Sequence, residues 1–238
     1  MKIALIGYGK MGHAIEEIAL ERGHVIVLKI SIDNTEDNTI ENIQKADVAI
    51  EFSGPEAAFD NVIKCMDAGV PVVSGSTGWL QRLDEAKKYC TDQNGALLYA
   101  SNFSVGVNIF FAINKRLAEL MAPHGEYNVS LTEIHHTQKR DAPSGTAITL
   151  AEDILNFNPQ KQHWVNQPSN KAGDLVILSQ RIDPAPGTHS ITYSSAIDDI
   201  EIKHTAHTRK GFATGAVLAA EFLHNKKGIF GMGDVLGL

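Results

Sequence analysis

The residues best suited to chemistry lie in one stretch, EIHHTQKRDAPSGTA, which runs from Glu133 to Ala147. It places two adjacent histidines, His135 and His136, shortly before Lys139. An imidazole exchanges a proton near neutral pH, which suits a general acid or base. A lysine ammonium is a compact point charge that can hold a carboxylate. The stretch therefore indicates a site that manages a proton beside an anionic ligand.

The same stretch ends in a helix-start pattern. Ser144 is a good N-cap, and apolar residues follow at i, i+3, i+4 and i+7 spacing, namely Ala147, Leu150, Ala151 and Ile154. Gly145 bares the backbone, so the first N–H groups, at Gly145 and Thr146, can meet a carboxylate or a phosphate. A solvated histidine pair, an exposed loop charge and a simple helix cap would explain these residues equally well.

A zinc site is a further alternative for the histidines. His135, His136, His204 and His207 offer ring nitrogens, but the chain has no HxxE or CxxC spacing around them. We therefore expect no metal.

A second chemical signature is Gly7-Tyr8-Gly9-Lys10-Met11-Gly12, which has the form GxGxxG. It follows an apolar run and opens a helical pattern. In that setting Gly7 permits a tight turn, Gly9 lets a pyrophosphate approach the backbone, and Gly12 lets the helix pack on the strand. The motif predicts dinucleotide binding, and a purely structural glycine turn is the alternative.

An acidic residue stands where a dinucleotide site needs one. Asp33 lies 26 residues after Gly7, just beyond the second predicted strand, and Asn34 follows it. A carboxylate there accepts a hydrogen bond from the adenosine ribose and disfavours a 2′-phosphate. We predict NADH as the preferred cofactor, with NADPH possible. An ordinary loop aspartate is the alternative.

The elements that must position these residues follow from hydrophobic periodicity. Short apolar runs predict strands at 2–6, 25–30, 48–53, 71–76 and 96–100, and amphipathic stretches predict helices at 13–23, 55–69 and 80–95. This alternation favours βαβ units and a parallel sheet that is covered on both faces.

The pattern changes after Asn102. Helices are predicted at 104–125, from about 144, and at 209–226, with alternating strands at 127–136, 175–182, 189–195 and 199–206. The predicted fold class is α/β, a Rossmann-type parallel-sheet dinucleotide domain (1–103 plus 212–238) and an α+β substrate and oligomerisation domain with a mixed sheet (104–211).

Composition narrows the functional class. The chain has 238 residues, a net charge of −7 and no long basic run, so nucleic-acid and anionic-membrane surfaces are not expected. The first apolar run is too short for a signal peptide, and no segment approaches a membrane span. Only two cysteines occur, Cys65 and Cys90, which favours a reducing compartment, and we expect a cytoplasmic protein.

The stretch from Glu133 to Ala147 resembles the signature of the 4-hydroxy-tetrahydrodipicolinate reductase (dihydrodipicolinate reductase) family. Gly75-Ser76-Thr77-Gly78 resembles the family's Gly-Thr-Thr-Gly loop on the nicotinamide side. Further segments resemble its first loop, domain crossing, return helix and C-terminal tail, namely Lys10-Met11-Gly12, Ala100 to Val107, Arg209 with Phe212 to Ala216, and Met232 to Leu236. Three departures are a glycine loop one residue shorter, Glu51 where Asp is usual, and Gly54 where Arg is frequent.

The resemblance implies NAD(P)H-dependent reduction of 4-hydroxy-tetrahydrodipicolinate, a small dicarboxylate ring, to tetrahydrodipicolinate with loss of water. It implies that His135 is the proton donor or acceptor and that Lys139 is a second proton donor and an anchor. His136, Gly145 and Thr146 would bind substrate. It implies dinucleotide contacts from Gly7, Tyr8, Gly9, Lys10, Met11, Gly12, Asp33, Gly75, Ser76, Thr77, Ala100, Ser101, Asn102 and Phe103. A homotetramer built through the second domain's sheet is also implied.

Two other functions remain open from the residues alone. Another two-domain dehydrogenase, such as an aspartate-semialdehyde type, would need a nucleophilic cysteine, whereas Cys65 and Cys90 lie within predicted helices. A dinucleotide sensor would explain the glycine turn and Asp33. It would not require His135 and Lys139 near a helix start.

Overall fold

A computed structural model describes residues 1–208 and 210–238. Arg209, one of the residues that resemble the family's return helix, lies outside the described residues. The chain forms two compact units, the first of Met1–Val105 with Lys210–Leu238 and the second of Gly106–Arg209. No helix in the described ranges is both long and apolar enough to cross a membrane.

The first unit is built on a six-stranded sheet in the order β11-β5-β4-β3-β1-β2, and every pairing in it is parallel. The strands are β1 (Lys2–Ile6), β2 (Val25–Ile30), β3 (Val48–Glu51), β4 (Val72–Ser74), β5 (Ala96–Tyr99) and β11 (Gly228–Phe230). The helices are α1 (Lys10–Glu21), α2 (Ile40–Ile43), α3 (Pro55–Asp67), α4 (Leu83–Asp92), α7 (Lys210–Leu223) and α8 (Met232–Leu236).

Both faces of this sheet are buried, which explains its nearly continuous apolar strands. Successive side chains of β1 point to opposite faces: Ile3 and Leu5 pack with α1 and α7, whereas Ala4 and Ile6 pack with α3 and α4. Because all the strand pairings are parallel, the carboxyl ends of the strands lie at one edge of the sheet. In sheets of this kind ligands bind at that edge.

The second unit is built on a mixed five-stranded sheet in the order β10-β9-β6-β8-β7. Its strands are β6 (Asn128–His135), β7 (His163–Val165), β8 (Asp174–Arg181), β9 (Gly187–Ser194) and β10 (Asp199–Ala206). β6 pairs parallel with β8 and antiparallel with β9. The helices α5 (Val105–Met121) and α6 (Gly145–Phe157) supply core residues to one face of this sheet.

The predicted fold class is confirmed: a Rossmann-type parallel sheet is combined with a mixed sheet. Sequence reasoning missed β7, β11, α2 and α8, each only three to five residues long. Elements this short contain less than two periods of a helix or strand, so they leave no readable pattern. The predicted helix at 80–95 was also too long, because its first turn is a 3₁₀ turn at Leu80–Arg82.

Candidate active site

The buried face of β6 changes from apolar to polar along the strand. Val129, Leu131, Glu133 and His135 alternate with less buried residues and share one face. The first two belong to the apolar core of the second unit. Glu133 is fully buried and His135 is 6% exposed. The buried positions of β6 are therefore apolar in its first half and hold a carboxylate and an imidazole near its carboxyl end.

Strand register brings further polar groups beside this pair. Glu133 lies between Ser179 on β8 and His189 on β9, and His135 lies beside Arg181 on β8. Neighbours on adjacent strands have Cβ atoms about 5 Å apart, so side chains on one face contact each other. Three strands therefore contribute to one buried polar cluster.

The two carboxylate oxygens of Glu133 have different partners. Oε1 accepts a hydrogen bond of 2.7 Å from Ser179 Oγ and lies 3.4 Å from the guanidinium of Arg181. Oε2 lies 3.3 Å from His135 Nδ1 and 3.8 Å from His189 Nε2. The His135 approach has ion-pair distance but lacks the alignment of a hydrogen bond. One carboxylate thus contacts a cation and two imidazoles.

The pKa of Glu133 lies well below its usual range. Burial on its own would raise this pKa, but the contacts with His135, Ser144 and Ser179 outweigh burial because they favour the charged form. Glu133 is therefore an anion at neutral pH.

His189 behaves differently from His135. Burial first, and then the nearby charge of His135, lower the pKa of His189 to about 4. Its Nε2 lies 3.2 Å from Ser144 Oγ. His189 is therefore a neutral imidazole at physiological pH, with a polar contact to the start of α6.

The start of α6 is also attached to Glu133. The backbone N–H of Ser144 donates to both carboxylate oxygens, at 3.1 and 3.2 Å, and Ser144 Oγ accepts from the N–H of Ala147. The predicted N-cap is therefore confirmed. Gly145 is exposed, and a Cβ built there would meet nothing within 4 Å. The helix start has open space for a ligand at Gly145.

Arg181 connects the cluster to the lysine loop. Its Nε donates to the carbonyl of Lys139 at 3.2 Å, and its NH2 donates to the carbonyl of Asp141 at 2.5 Å. Lys139 Nζ is paired with the Asp141 carboxylate at 2.8 Å. The loop backbone is thus fixed by a side chain that also contacts Glu133.

His136 lies apart from this cluster although it follows His135 directly. It lines a surface cavity with Gln138 and the turn formed by residues 183–186. Thr137 donates to Asp183 through both its N–H and its hydroxyl group. His135 is the last residue of β6 and lies on its buried face, whereas His136 follows outside the strand.

A group of side chains in the structure could hold a metal ion, and it differs from the four histidines considered from sequence. Ligand atoms of Glu133, His135 and His189 all lie within 4.8 Å of one another. The carboxylate, however, also receives the N–H of Ser144 and contacts the guanidinium of Arg181. The Ser144 N–H and the Arg181 guanidinium already balance the charge of the buried Glu133 carboxylate. A metal ion bound there would lie close to the fixed charge of Arg181, which is unfavourable.

The glycine turn in the first unit has the form that a pyrophosphate requires. Gly7 has φ +96°, and a Cβ there would lie 2.3 Å from the backbone of Phe52. A Cβ at Gly12 would lie 2.8 Å from the carbonyl of Gly7, whereas one at Gly9 would meet nothing within 4 Å. Gly9 is the N-cap of α1 and supplies no side-chain cap. The turn therefore leaves open space beside a helix N-terminus, which fits a dinucleotide.

The turn is joined to the end of β2, where the predicted ribose contact lies. The N–H groups of Gly7 and Tyr8 both donate to the carbonyl of Ile30, at 2.9 and 2.7 Å. Asp33 is exposed just beyond that point. Lys29 is a nearby cation in the chain, and its Nζ is paired with Glu16 at 2.6 Å. Lys29 therefore already has an anionic partner other than Asp33.

Phe52 is the point where three predicted cofactor segments meet. Its backbone abuts Gly7, and a Cβ at Gly75 would lie 2.1 Å from its ring. The rings of Phe52 and Phe103 are 5.5 Å apart. The glycine turn, the 75–77 loop and the 100–103 segment therefore lie around one aromatic side chain.

Glu51, noted from sequence only as a departure, proves to be a buried anchor for the 75–77 loop. It is fully buried at the end of β3 and accepts hydrogen bonds from the hydroxyls of Ser53, Ser74 and Ser76. The contact with Ser76 is 2.7 Å. Sequence gave a weak signal for this anchor, since three serines follow Glu51 at nearby strand ends.

A parallel sheet with a pyrophosphate-type glycine turn, in one chain with a buried carboxylate–imidazole cluster beside a lysine, defines a two-unit Rossmann-type oxidoreductase. Family models give the particular class. Residues 1–103 match "Dihydrodipicolinate reductase, N-terminus" and residues 106–236 match "Dihydrodipicolinate reductase, C-terminus". The chain belongs to the dihydrodipicolinate reductase family.

Similar proteins agree with this. A 4-hydroxy-tetrahydrodipicolinate reductase of Christiangramia forsetii is 50% identical over 99% of this chain and 98% of its own. One from Methanosarcina barkeri is 34% identical over 88% of this chain and 81% of its own. The solved structure of a dipicolinate-bound dihydrodipicolinate reductase from Paenisporosarcina sp. TG-14 has a TM-score of 0.76 and 21% identity, covering 97% of each chain, and shares the fold.

The predicted family and activity are thereby confirmed. The chain is an oxidoreductase of lysine and diaminopimelate biosynthesis, which carries out NAD(P)H-dependent reduction of 4-hydroxy-tetrahydrodipicolinate to tetrahydrodipicolinate with loss of water. The semialdehyde-dehydrogenase and sensor alternatives are wrong.

Proposed function

We propose that His135 supplies the proton in this reduction and that Lys139, with the start of α6, holds a substrate carboxylate. One observation carries the proposal: the buried Glu133–His135 pair lies in a network that also contains the Lys139 loop and the N-terminus of α6. This combination provides a proton donor, a fixed cation and backbone donors for an anion. His136 would contribute from the adjoining cavity.

The two nitrogens of His135 have separate tasks in this proposal. Nδ1 faces the Glu133 carboxylate. Nε2 lies next to Gly187, where a Cβ would stand 3.1 Å from it. The missing side chain leaves room on the Nε2 side, so we assign proton transfer to Nε2. Hydrogen bonds and charges around the other nitrogen set the orientation of the ring.

The substrate is a ring with two carboxylates, and the proposed contacts match that chemistry. Lys139 Nζ is a point charge, and Gly145 and Thr146 open α6, whose N-cap Ser144 is connected to the Lys139 loop through Glu133 and Arg181. The Paenisporosarcina reductase, which shares the fold, is described with dipicolinate bound, also a ring dicarboxylate. A substrate carboxylate would replace Asp141 as the partner of Lys139 in this arrangement.

The dinucleotide would be held by the glycine turn, by Asp33 and by two segments around Phe52, namely Gly75 to Thr77 and Ala100 to Phe103. When bound, its nicotinamide supplies the hydride. NADH is the proposed preference because Asp33 is an exposed carboxylate at the ribose position and Lys29 is paired with Glu16. A 2′-phosphate would meet the charge of Asp33, and Lys29 is already paired with Glu16.

The remaining assignments follow the two units. Residues 1–103 with 212–238 would bind the dinucleotide, and residues 104–211 would bind substrate and form a cytoplasmic homotetramer. The sheet face opposite α5 and α6 includes Leu178, which is 38% exposed, and an exposed apolar side chain there suits burial against another copy. Light scattering of the purified protein tests the tetramer.

The test of the catalytic assignments is loss of NADH absorbance after adding freshly prepared product of pyruvate and aspartate semialdehyde condensation. We expect His135→Gln and Lys139→Ala each to lower kcat by roughly 10²–10³-fold, as for other preorganised groups that meet developing charge. Lys171→Ala, which removes an exposed lysine of the same unit, serves as the matched control and should leave kcat unchanged. A His135→Gln enzyme with wild-type kcat would remove His135 from proton transfer.

A further inference from the structure

We propose that Glu133 is the positioning residue of this active site: its carboxylate aligns His135 and holds the Lys139 loop and the start of α6. The proposal rests on the proposed role of His135. It concerns how the catalytic groups are held, which the reaction itself does not specify.

Glu133 occupies the one place on β6 where this is possible. It is two residues before His135 on the same buried face, and its neighbours on both adjacent strands are polar, Ser179 and His189. The next residue inward on that face, Leu131, belongs to the apolar core. The carboxylate therefore lies at the boundary between the core and the proposed site.

Oε1 provides the mechanical part of this role. It contacts Arg181, whose guanidinium donates to the carbonyls of Lys139 and Asp141. Ser144, the N-cap of α6, donates its N–H to the same carboxylate. The carboxylate thus fixes the start of α6 directly and the Lys139 loop through Arg181. These are the two segments proposed to hold the substrate anion. Loss of its charge would leave Arg181 without its buried anionic partner.

Oε2 provides the orienting part. It lies 3.3 Å from His135 Nδ1, and Nδ1 is buried with no aligned hydrogen bond. The other ring nitrogen, Nε2, lies next to Gly187. A charged oxygen this close to Nδ1 favours the ring orientation in which Nε2 is the nitrogen left for the substrate.

The test uses Glu133→Gln in the full-length enzyme, because glutamine keeps the size and most hydrogen bonds but removes the charge. We expect kcat to fall roughly 10–100-fold and KM for the dicarboxylate to rise. Because Glu133 acts on kcat through His135, Glu133→Gln should lower kcat much less in a His135→Gln background.

Ser179→Ala is the matched control. It removes a 2.7 Å hydrogen bond to the same carboxylate but leaves the charge in place. It should lower kcat less than Glu133→Gln does. Urea denaturation of each variant would show whether it is folded, and Glu133→Asp, which keeps the charge on a shorter side chain, should recover part of the kcat lost in Glu133→Gln.

The outcomes separate this proposal from the one on which it rests. If a folded Glu133→Gln enzyme keeps wild-type kcat and KM, or loses the same factor in kcat with and without His135, Glu133 does not act through His135 and the inference is overturned. If His135→Gln retains wild-type kcat, the role of His135 fails first. A loss of kcat in Glu133→Gln that disappears in the His135→Gln background, with a smaller loss in Ser179→Ala, would support the inference.

Discussion

Gly215 in α7 packs against the backbone of Phe103, just before α5, and this close contact can be tested by one substitution. A Cβ built at Gly215 would lie 1.6 Å from the carbonyl oxygen of Phe103 and 2.7 Å from its carbonyl carbon. Both are backbone atoms of the first unit. A rotamer change cannot relieve the clash, so Gly215→Ala must move the helix or the Phe103 segment.

The magnitude follows from two opposing effects. A carbon and a carbonyl oxygen approach to about 3.3 Å at closest, so the gap must open by about 1.7 Å. Overpacking of this kind costs about 3 kcal/mol or more when backbone has to move. Replacing a helical glycine by alanine returns about 1 kcal/mol. Net destabilisation of about 2–3 kcal/mol is expected, or a Tm lower by about 5–10 °C.

Gly211 in the same helix provides the matched control. A Cβ there would lie 3.5 Å from Ser104 Oγ, an ordinary contact, so Gly211→Ala should leave stability unchanged or raise it by up to about 1 kcal/mol. Thermal and urea denaturation measure both variants, and KM for NADH should rise in Gly215→Ala because Phe103 moves. A Gly215→Ala protein as stable as Gly211→Ala would refute the packing argument.

Two further predictions concern charge. The pKa of His189 is lowered from 6.5 to about 4, so below pH 6.5 the unfolded chain binds a proton that the folded one does not, and stability should fall by up to about 3 kcal/mol between pH 6.5 and 4. His189→Asn should flatten that part of the stability–pH curve in urea titrations. Asp33→Ser should raise kcat/KM for NADPH relative to NADH, and an unchanged ratio would exclude Asp33 from cofactor discrimination.

Much of the fold was predictable because its signals are local. Apolar runs separated by amphipathic stretches identify the parallel strands, and glycines with a following helical pattern identify the dinucleotide turn. The N-cap at Ser144 was predictable for the same reason: capping depends on a residue and the three after it. The boundaries of most long elements lie within a few residues of those expected from periodicity.

The polar cluster was not predictable in full, because it depends on strand register. Alternation along β6 places Glu133 on the same face as His135, and that much is readable from sequence. That His189, Ser179 and Arg181 lie beside them depends on how β8 and β9 align with β6, over separations of about fifty residues. Sequence periodicity fixes the face of each strand but not its partner. The same limit applies to the group of Glu133, His135 and His189, which lie on two strands and come together through register.

Glu51 and Glu133 show how a related arrangement serves each unit differently. Each is a fully buried carboxylate at the carboxyl end of a strand, and each accepts hydrogen bonds from serines on neighbouring strands or loops. The partners of Glu51 are the hydroxyls of Ser53, Ser74 and Ser76 and one backbone N–H, which fix the 75–77 loop without adding charge. Glu133 contacts Arg181 and two imidazoles as well. A carboxylate held only by dipoles acts on geometry, whereas one coupled to ionisable groups also sets their protonation. The difference fits the proposal that the first unit presents a loop to a dinucleotide and the second delivers a proton.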